Sequence, residues 1–179
     1  NYTEAIRRNS EEPSSYYNRA ISYEKLGQPN EALADYNKAI VFNPRYVKAF
    51  NNRGVLYEKM GILDSAVADY SRSVSIDPSF VVSRLNRARA LAASNKYESA
   101  LEDLSSAINI EPNNPEIHHQ RGRVYLKSGK LANALSDFEN VIRLNTWYAE
   151  AYFHRGQTYQ ALGKLDEARK DFQRAAAIG

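Results

Sequence analysis

The chain has 179 residues, 43% of them hydrophobic and 25% charged, with a formal net charge of +3 and no Cys. That is the balance of a folded domain with enough apolar residues for a continuous core, and the absence of Cys excludes disulfides, thiolate nucleophiles and thiolate metal sites together. No apolar run approaches the ~18 residues of a membrane helix, and the mild, interleaved charge lacks the concentrated basic face that nucleic acid demands.

In chain order, residues 1–12 come first and fall in phase with the end of a second helix, since Tyr2, Ala5 and Ile6 repeat later in the same relative places. Five copies of one unit follow on a 34-residue period, over 13–46, 47–80, 81–114, 115–148 and 149–179. Positions are counted from Pro13, Val47, Val81, Pro115 and Ala149. A period of that size marks a stack whose units are each too small to bury an apolar face alone.

Each copy predicts one helix over positions 2–14, a short turn, a second helix over positions 18–30 and another turn. Position 8 is small throughout (Ala20, Gly54, Ala88, Gly122, Gly156), and position 20 is always Ala (Ala32, Ala66, Ala100, Ala134, Ala168). Small side chains at fixed sites let two helix backbones approach. Large residues surround them, at position 11 (Tyr23, Tyr57, Leu91, Tyr125, Tyr159) and position 24 (Tyr36, Tyr70, Leu104, Phe138, Phe172), and these supply most of the buried apolar area. Position 15 is Gly27, Gly61, Gly129 and Gly163, with Asn95 in the third copy; both residue types tolerate the left-handed backbone that ends a helix. Pro44, Pro78 and Pro112 at position 32 stop the second helix.

This pattern resembles the tetratricopeptide repeat family over nearly the whole chain. Position 4 fits with Tyr16, Phe50 and Tyr152, and position 27 with Ala39, Ser73, Ala107 and Ala175. The departures are Arg84 and His118 at position 4, Val141 at position 27, Thr146 at position 32 and an Arg at position 7 of every copy. The resemblance implies an all-α fold, a right-handed superhelical solenoid of antiparallel helix pairs forming one domain over residues 1–179. The sequence reads as a stretch of a longer protein, with residues 1–12 ending an upstream unit and two apolar end faces that neighbours would cover.

Enzyme signatures are missing: there is no Gly-rich phosphate loop, nucleophile elbow or paired-His helix motif. His119 and His154 could face each other across adjacent first helices. No carboxylate or Cys stands near them at ligand spacing, so the expectation is no metal, no cofactor and no catalytic residue.

The expected function is therefore recognition of a protein or peptide. Positions 2, 5, 6, 9, 12 and 13 of the first helices lie opposite the packed stripe at 4, 7, 8 and 11 and are expected to line a concave groove. Position 6 is Asn18, Asn52, Asn86, then Gln120, then His154. A row of carboxamides offers a donor and an acceptor at each step, which suits the backbone of an extended peptide. It resembles the asparagine ladder of O-linked N-acetylglucosamine transferases at Asn18, Asn52 and Asn86 alone. Beside it, Lys48, Arg89, Arg123, Lys59 and Lys127 make the middle of the groove cationic, partly offset by Glu24, Glu58, Glu116 and Glu150; the balance slightly favours acidic segments. Val82, Leu85 and Ala92, with Val55, form a small apolar patch for one hydrophobic anchor. The carboxylate clamp of chaperone-tail-binding members is absent at the corresponding positions. The alternative function is architectural, with self-assembly through outer helices or uncapped ends and an idle groove.

Arg19, Arg53, Arg87, Arg121 and Arg155 at position 7, and Asp35, Asp69, Asp103, Asp137 and Asp171 at position 23, also step by 34. A structural brace is expected, because an Arg inside a helix interface needs a partner. Pairing within a copy gives Asp171 a partner; pairing across copies leaves it without one.

Overall fold

The computed structural model describes Glu4 and residues 11–179. Among these, ten helices follow one another: α1 Pro13–Lys25, α2 Pro29–Phe42, α3 Val47–Lys59, α4 Leu63–Ile76, α5 Val81–Ala93, α6 Tyr97–Ile110, α7 Pro115–Lys127, α8 Leu131–Leu144, α9 Ala149–Ala161 and α10 Leu165–Ile178. The all-α class and the antiparallel helix pairs are as expected. The first helix occupies positions 1–13 rather than 2–14, and the second begins at position 17 rather than 18. Proline is one reason: Pro13, Pro29 and Pro115 sit at the helix start, where the missing N–H costs nothing. The expected helix tail over residues 1–12 lies, apart from Glu4, Glu11 and Glu12, outside the described residues.

The turn within each copy is built identically. Gly27, Gly61, Gly129 and Gly163 have φ between 69° and 77°, and Asn95 adopts 58°. This left-handed residue lets the following N–H reach back to the carbonyl at position 11, from Gln28 to Tyr23 and from Lys96 to Leu91, both at 2.9 Å. Asn95 thus does the work of the glycine, and its Oδ1 accepts the Tyr97 hydroxyl at 2.7 Å.

The chain forms two compact units, residues 1–90 and 91–179. In the first, α1 packs on α2, α2 on α3 and α3 on α4. Ala20, Ala32, Tyr36 and Leu56 form one buried cluster, Tyr16, Ala39 and Ala49 a second, and Ala66, Tyr70 and Ala90 a third. In the second unit α6 packs on α7, α7 on α8, α8 on α9 and α9 on α10, around the fully buried Ile117, Ala134, Phe138 and Val141. The small residue at position 8 meets the large one at position 24: a Cβ added at Gly54 or Gly122 would stand 2.7 Å from the ring of Tyr70 or Phe138.

The Arg–Asp ladder pairs within copies. Arg19 grips Asp35, Arg53 grips Asp69, Arg121 grips Asp137 and Arg155 grips Asp171, each through Nε and Nη2 at 2.6–2.8 Å. The aspartate side chains are nearly buried, at 2–9% exposure. The guanidinium lies over the rings at positions 4 and 11, as Arg53 does over Phe50 and Tyr57. A further bond crosses copies: Nη1 of Arg53, Arg87 and Arg121 donates to Asn37, Ser71 and Ser105 at position 25 of the copy before. The ladder braces the first, second, fourth and fifth helix pairs, and three of its arginines, Arg53, Arg87 and Arg121, tie their helix to the copy before.

The two departures at position 4, Arg84 and His118, make the same kind of bond as Tyr152, which fits the pattern. Arg84 Nε donates to the Pro78 carbonyl, His118 Nε2 lies 2.9 Å from the Pro112 carbonyl, and the Tyr152 hydroxyl reaches that of Thr146. A polar side chain tip there binds the carbonyl at position 32, six residues back.

Candidate functional site

The row at position 6 is a set of rungs between consecutive first helices. Asn52 Nδ2 donates to the Tyr17 hydroxyl at 3.0 Å, Asn86 Nδ2 to Asn51 Oδ1 at 3.0 Å, and His154 Nδ1 lies 3.1 Å from His119 Nε2. Each joins position 5 of one copy to position 6 of the next. In the first unit the rungs merge, because Asn51 Nδ2 also donates to Asn52 Oδ1 and Ser83 Oγ donates to Asn51 Oδ1. Ser83 shares a 2.7 Å bond with Ser73, which caps the Val47 carbonyl.

Position 5 therefore does not line an open wall in the second and fourth copies, whereas Tyr17 and Leu85 are half-buried and Phe153 is exposed. Asn51 and His119 are each 5% exposed, since neighbouring first helices, α7 and α9 among them, touch side by side. In the second unit the rung is extended by the Tyr148 hydroxyl, which donates to Glu116 and faces His119 Nδ1 at 3.3 Å, and by His154 Nδ1 against the Glu150 carbonyl at 2.7 Å. Phe138 lies near both imidazoles. Burial first, and then the neighbouring His154, push the His119 pKa down to about 4; burial also lowers that of His154. The two imidazoles do face each other, yet among the described residues no group of three His, Asp or Glu converges where a metal could sit.

The remaining candidate residues divide by engagement. Asn18 is half-buried and its carboxamide makes no hydrogen bond among the described residues, whereas both ends of Asn52 are taken. Asn86 keeps its oxygen free, and Gln120 donates to Glu116 at 2.8 Å. Leu85 is half-buried, Val82 is exposed and Ala92 is buried, so Ala92 adds no surface to an apolar patch. Lys48, Arg123 and Lys127 are exposed.

The cationic middle needs correcting in the first unit, because two of its bases are neutralised. Lys59 pairs with Glu24 at 2.9 Å and Arg89 with Glu58 at 3.0 Å. The same glutamates accept the hydroxyls of Tyr36 and Tyr70. Burial pushes Glu58 up, but the bonds from Arg89 and Tyr70 outweigh it and hold its pKa below the usual carboxylate value. An open cavity of about 430 Å³ lies beside this pair, lined by Ile21, Glu24, Lys25, Asn52, Val55 and Lys59.

Models of the tetratricopeptide repeat match residues 13–46, 47–80 and 149–178, and a TPR repeat model matches 88–129 and 122–163. The chain belongs to the tetratricopeptide repeat family. Such TPR chains are protein–protein interaction scaffolds, typically without catalysis. A stretch of 39 residues is 54% identical to Hsp70-Hsp90 organizing protein 2 of Arabidopsis thaliana, covering 22% of this TPR chain and only 7% of that protein's length.

Solved structures share the TPR fold over most of the chain. YrrB, described as a TPR protein with an unusual peptide-binding site, has a TM-score of 0.83 at 24% identity, covering 99% of this chain and 91% of its own. MamA from Desulfovibrio magneticus RS-1 gives 0.86 at 16%, covering 93% and 94%. A tetratricopeptide repeat protein from Parabacteroides merdae gives 0.68 at 28%, covering 99% and 70%. No helix among the described residues of the TPR chain is long and apolar enough to cross a membrane.

Sequence reasoning missed the rungs and the Glu–Tyr bonds. The rungs had a signal, since residues 35 apart are matched hydrogen-bonding pairs, Tyr with Asn, Asn with Asn and His with His. That signal is weak because the chemistry differs at each step.

Proposed function

We propose that this TPR chain holds an extended peptide segment of a partner protein along the first-helix face, with the position 6 groups that the rungs leave unbonded, the Asn18 carboxamide and the Asn86 oxygen, bonding its backbone. The observation that carries the reading is the carboxamide of Asn18, unbonded among the described residues and one helical turn before Ile21, which lines the cavity together with Val55. A peptide backbone finds its donor and acceptor there, and an apolar side chain finds about 430 Å³ of space. Within the first unit Asn86 Oδ1 continues the row and Leu85 offers a further apolar contact; in the second unit Gln120 holds the same position. Lys48, Arg123 and Lys127, without an ion pair among the described residues, favour acidic segments. The likeness to YrrB, described as having a peptide-binding site of its own, supports the reading.

The test is titration of a random-sequence peptide pool against the chain and the Asn18→Ala variant, whose side chain braces nothing among the described residues. One backbone bond is worth about 1 kcal/mol, so the loss expected is about fivefold. The triple variant with Asn52→Ala and Asn86→Ala should lose more, with circular dichroism confirming that it folds. Unchanged binding in both would contradict the ladder.

A second reading rests on an open apolar cavity of about 450 Å³ at α9 and α10, lined by Ala149, Glu150, Phe153, Phe172, Ala175 and Ala176. Covered by a second copy, it would make the chain a self-assembling module. Light scattering against concentration distinguishes the two: a constant mass removes the second reading.

A further inference from the structure

In the first unit the groove bases obey a rule. A base at position 9 or 13 is neutralised by the Glu at position 12 of the copy before, Lys59 by Glu24 and Arg89 by Glu58. The third copy puts Ala92 at position 12. Arg123 and Lys127, the bases at positions 9 and 13 of the fourth copy, therefore have no such Glu. Both are exposed, and among the described residues neither makes an ion pair or a side-chain hydrogen bond.

They stand four residues apart on α7, on one face of the helix. The imidazoles of His119 and His154, bonded to each other and to Tyr148, can carry no negative charge and so offer no counter-charge. The acids of this unit's groove, Glu116 and Glu150, sit at position 2. From Arg123 to Glu116 is about 10 Å along the helix axis, and Glu116 is held there by Gln120 and Tyr148. Glu116 and Glu150 thus stand at one end of this unit's first-helix face and Arg123 and Lys127 at the other, with Arg123 and the two glutamates acting on the His119, Tyr148 and His154 cluster between them and no bonded carboxylate on either base among the described residues. Among the described residues the other groove bases without an ion pair, Lys25 and Lys48, stand singly.

We infer that Arg123 and Lys127 are the acid-reading point of the groove and together take one Asp or Glu side chain of the bound segment. The inference rests on the proposed peptide groove and adds where selectivity lies. A side-chain carboxylate can spread its two oxygens between a guanidinium and an ammonium, whereas Lys59 and Arg89 already have glutamate partners.

The probe is a pair of C-terminally amidated decapeptide pools, identical except for Glu or Gln at a central position, titrated by fluorescence anisotropy at low salt against the full chain. The Glu pool should bind about three- to tenfold more tightly, the range for two exposed charge contacts. Arg123→Gln with Lys127→Gln should abolish that preference, and Arg169→Gln, on the exposed face of a second helix, should keep it. Equal binding of the two pools to the wild type, or a preference that survives in the double variant, would overturn the inference and leave the groove standing. A preference that appears only for peptides with a free C-terminus would also overturn it, by moving recognition to the chain end. Absence of binding by either pool would overturn the groove reading and this one together.

Discussion

His154 Nδ1 lies 3.1 Å from His119 Nε2, at the same 35-residue step that joins Asn52 to Tyr17 and Asn86 to Asn51. Of these three rungs, this is the one built from two imidazoles. Both are neutral when folded, with pKa values lowered chiefly by burial and that of His119 at about 4. Between pH 6.5 and 4 the unfolded chain binds the protons that the folded chain refuses, so stability falls as pH drops through that window and levels off below it. The loss from His119 should be on the order of 2–3 kcal/mol. Urea unfolding across pH 4–7.5 measures it. His119→Asn with His154→Asn, which copies the Asn51–Asn86 rung, should flatten the slope; an equal slope in both proteins would contradict the assignment.

The Arg–Asp brace makes a prediction about coupling. Arg53→Met leaves the nearly buried Asp69 carboxylate without its two bonds and should cost about 3 kcal/mol, with Asp69→Leu alone similarly costly. The two together should cost well under the sum, because no unpaired charge remains. A double-mutant cycle in urea reads the coupling, and additive single effects would show that the pair contributes nothing.

At the turn of the third copy, Asn95 holds a φ of 58°. Asn95→Ala should destabilise by about 1–2 kcal/mol, since a Cβ is strained there without the amide's local bonds. Asn95→Gly should cost much less, offset only by the lost bond from Tyr97. Thermal unfolding ranks the three proteins, and an Ala variant as stable as Gly would contradict this origin of the turn.

Close packing at position 8 sets a size limit. Gly122→Val should cost about 2–3 kcal/mol by driving atoms into the Phe138 ring. Gly122→Ala should cost less, because about 1 kcal/mol of helix propensity offsets the overlap, and because Ala20 above Tyr36 shows that the fold can accept a methyl there. Urea midpoints decide it; a Val variant as stable as wild type would show that the helices separate freely.

The fold was legible because its causes repeat. A small residue at positions 8 and 20, a large apolar or aromatic residue at 24 and a left-handed residue at 15 recur in phase, so each copy confirms the others. The brace was legible as a pair, but its partners were not, since Asp at position 23 is plausible for the Arg of either copy until the helices are placed. The groove was read less well. Helical periodicity assigned position 5 to an open wall, and the neighbouring first helix, which no local pattern reveals, buries Asn51 and His119. Lys59 and Arg89 looked like free charge because their glutamates lie one copy back, 35 and 31 residues away.

The central claim is that partners bind along the first helices. The most direct measurement is chemical-shift mapping of the isotope-labelled chain with the tightest-binding peptide from the pool. The account predicts perturbed signals at Asn18, Ile21, Val55, Asn86 and Arg123, with second-helix surface residues such as Glu31, Lys38 and Arg169 unmoved. Perturbation confined to the second helices, with the position 6 and 9 signals unchanged, would contradict it.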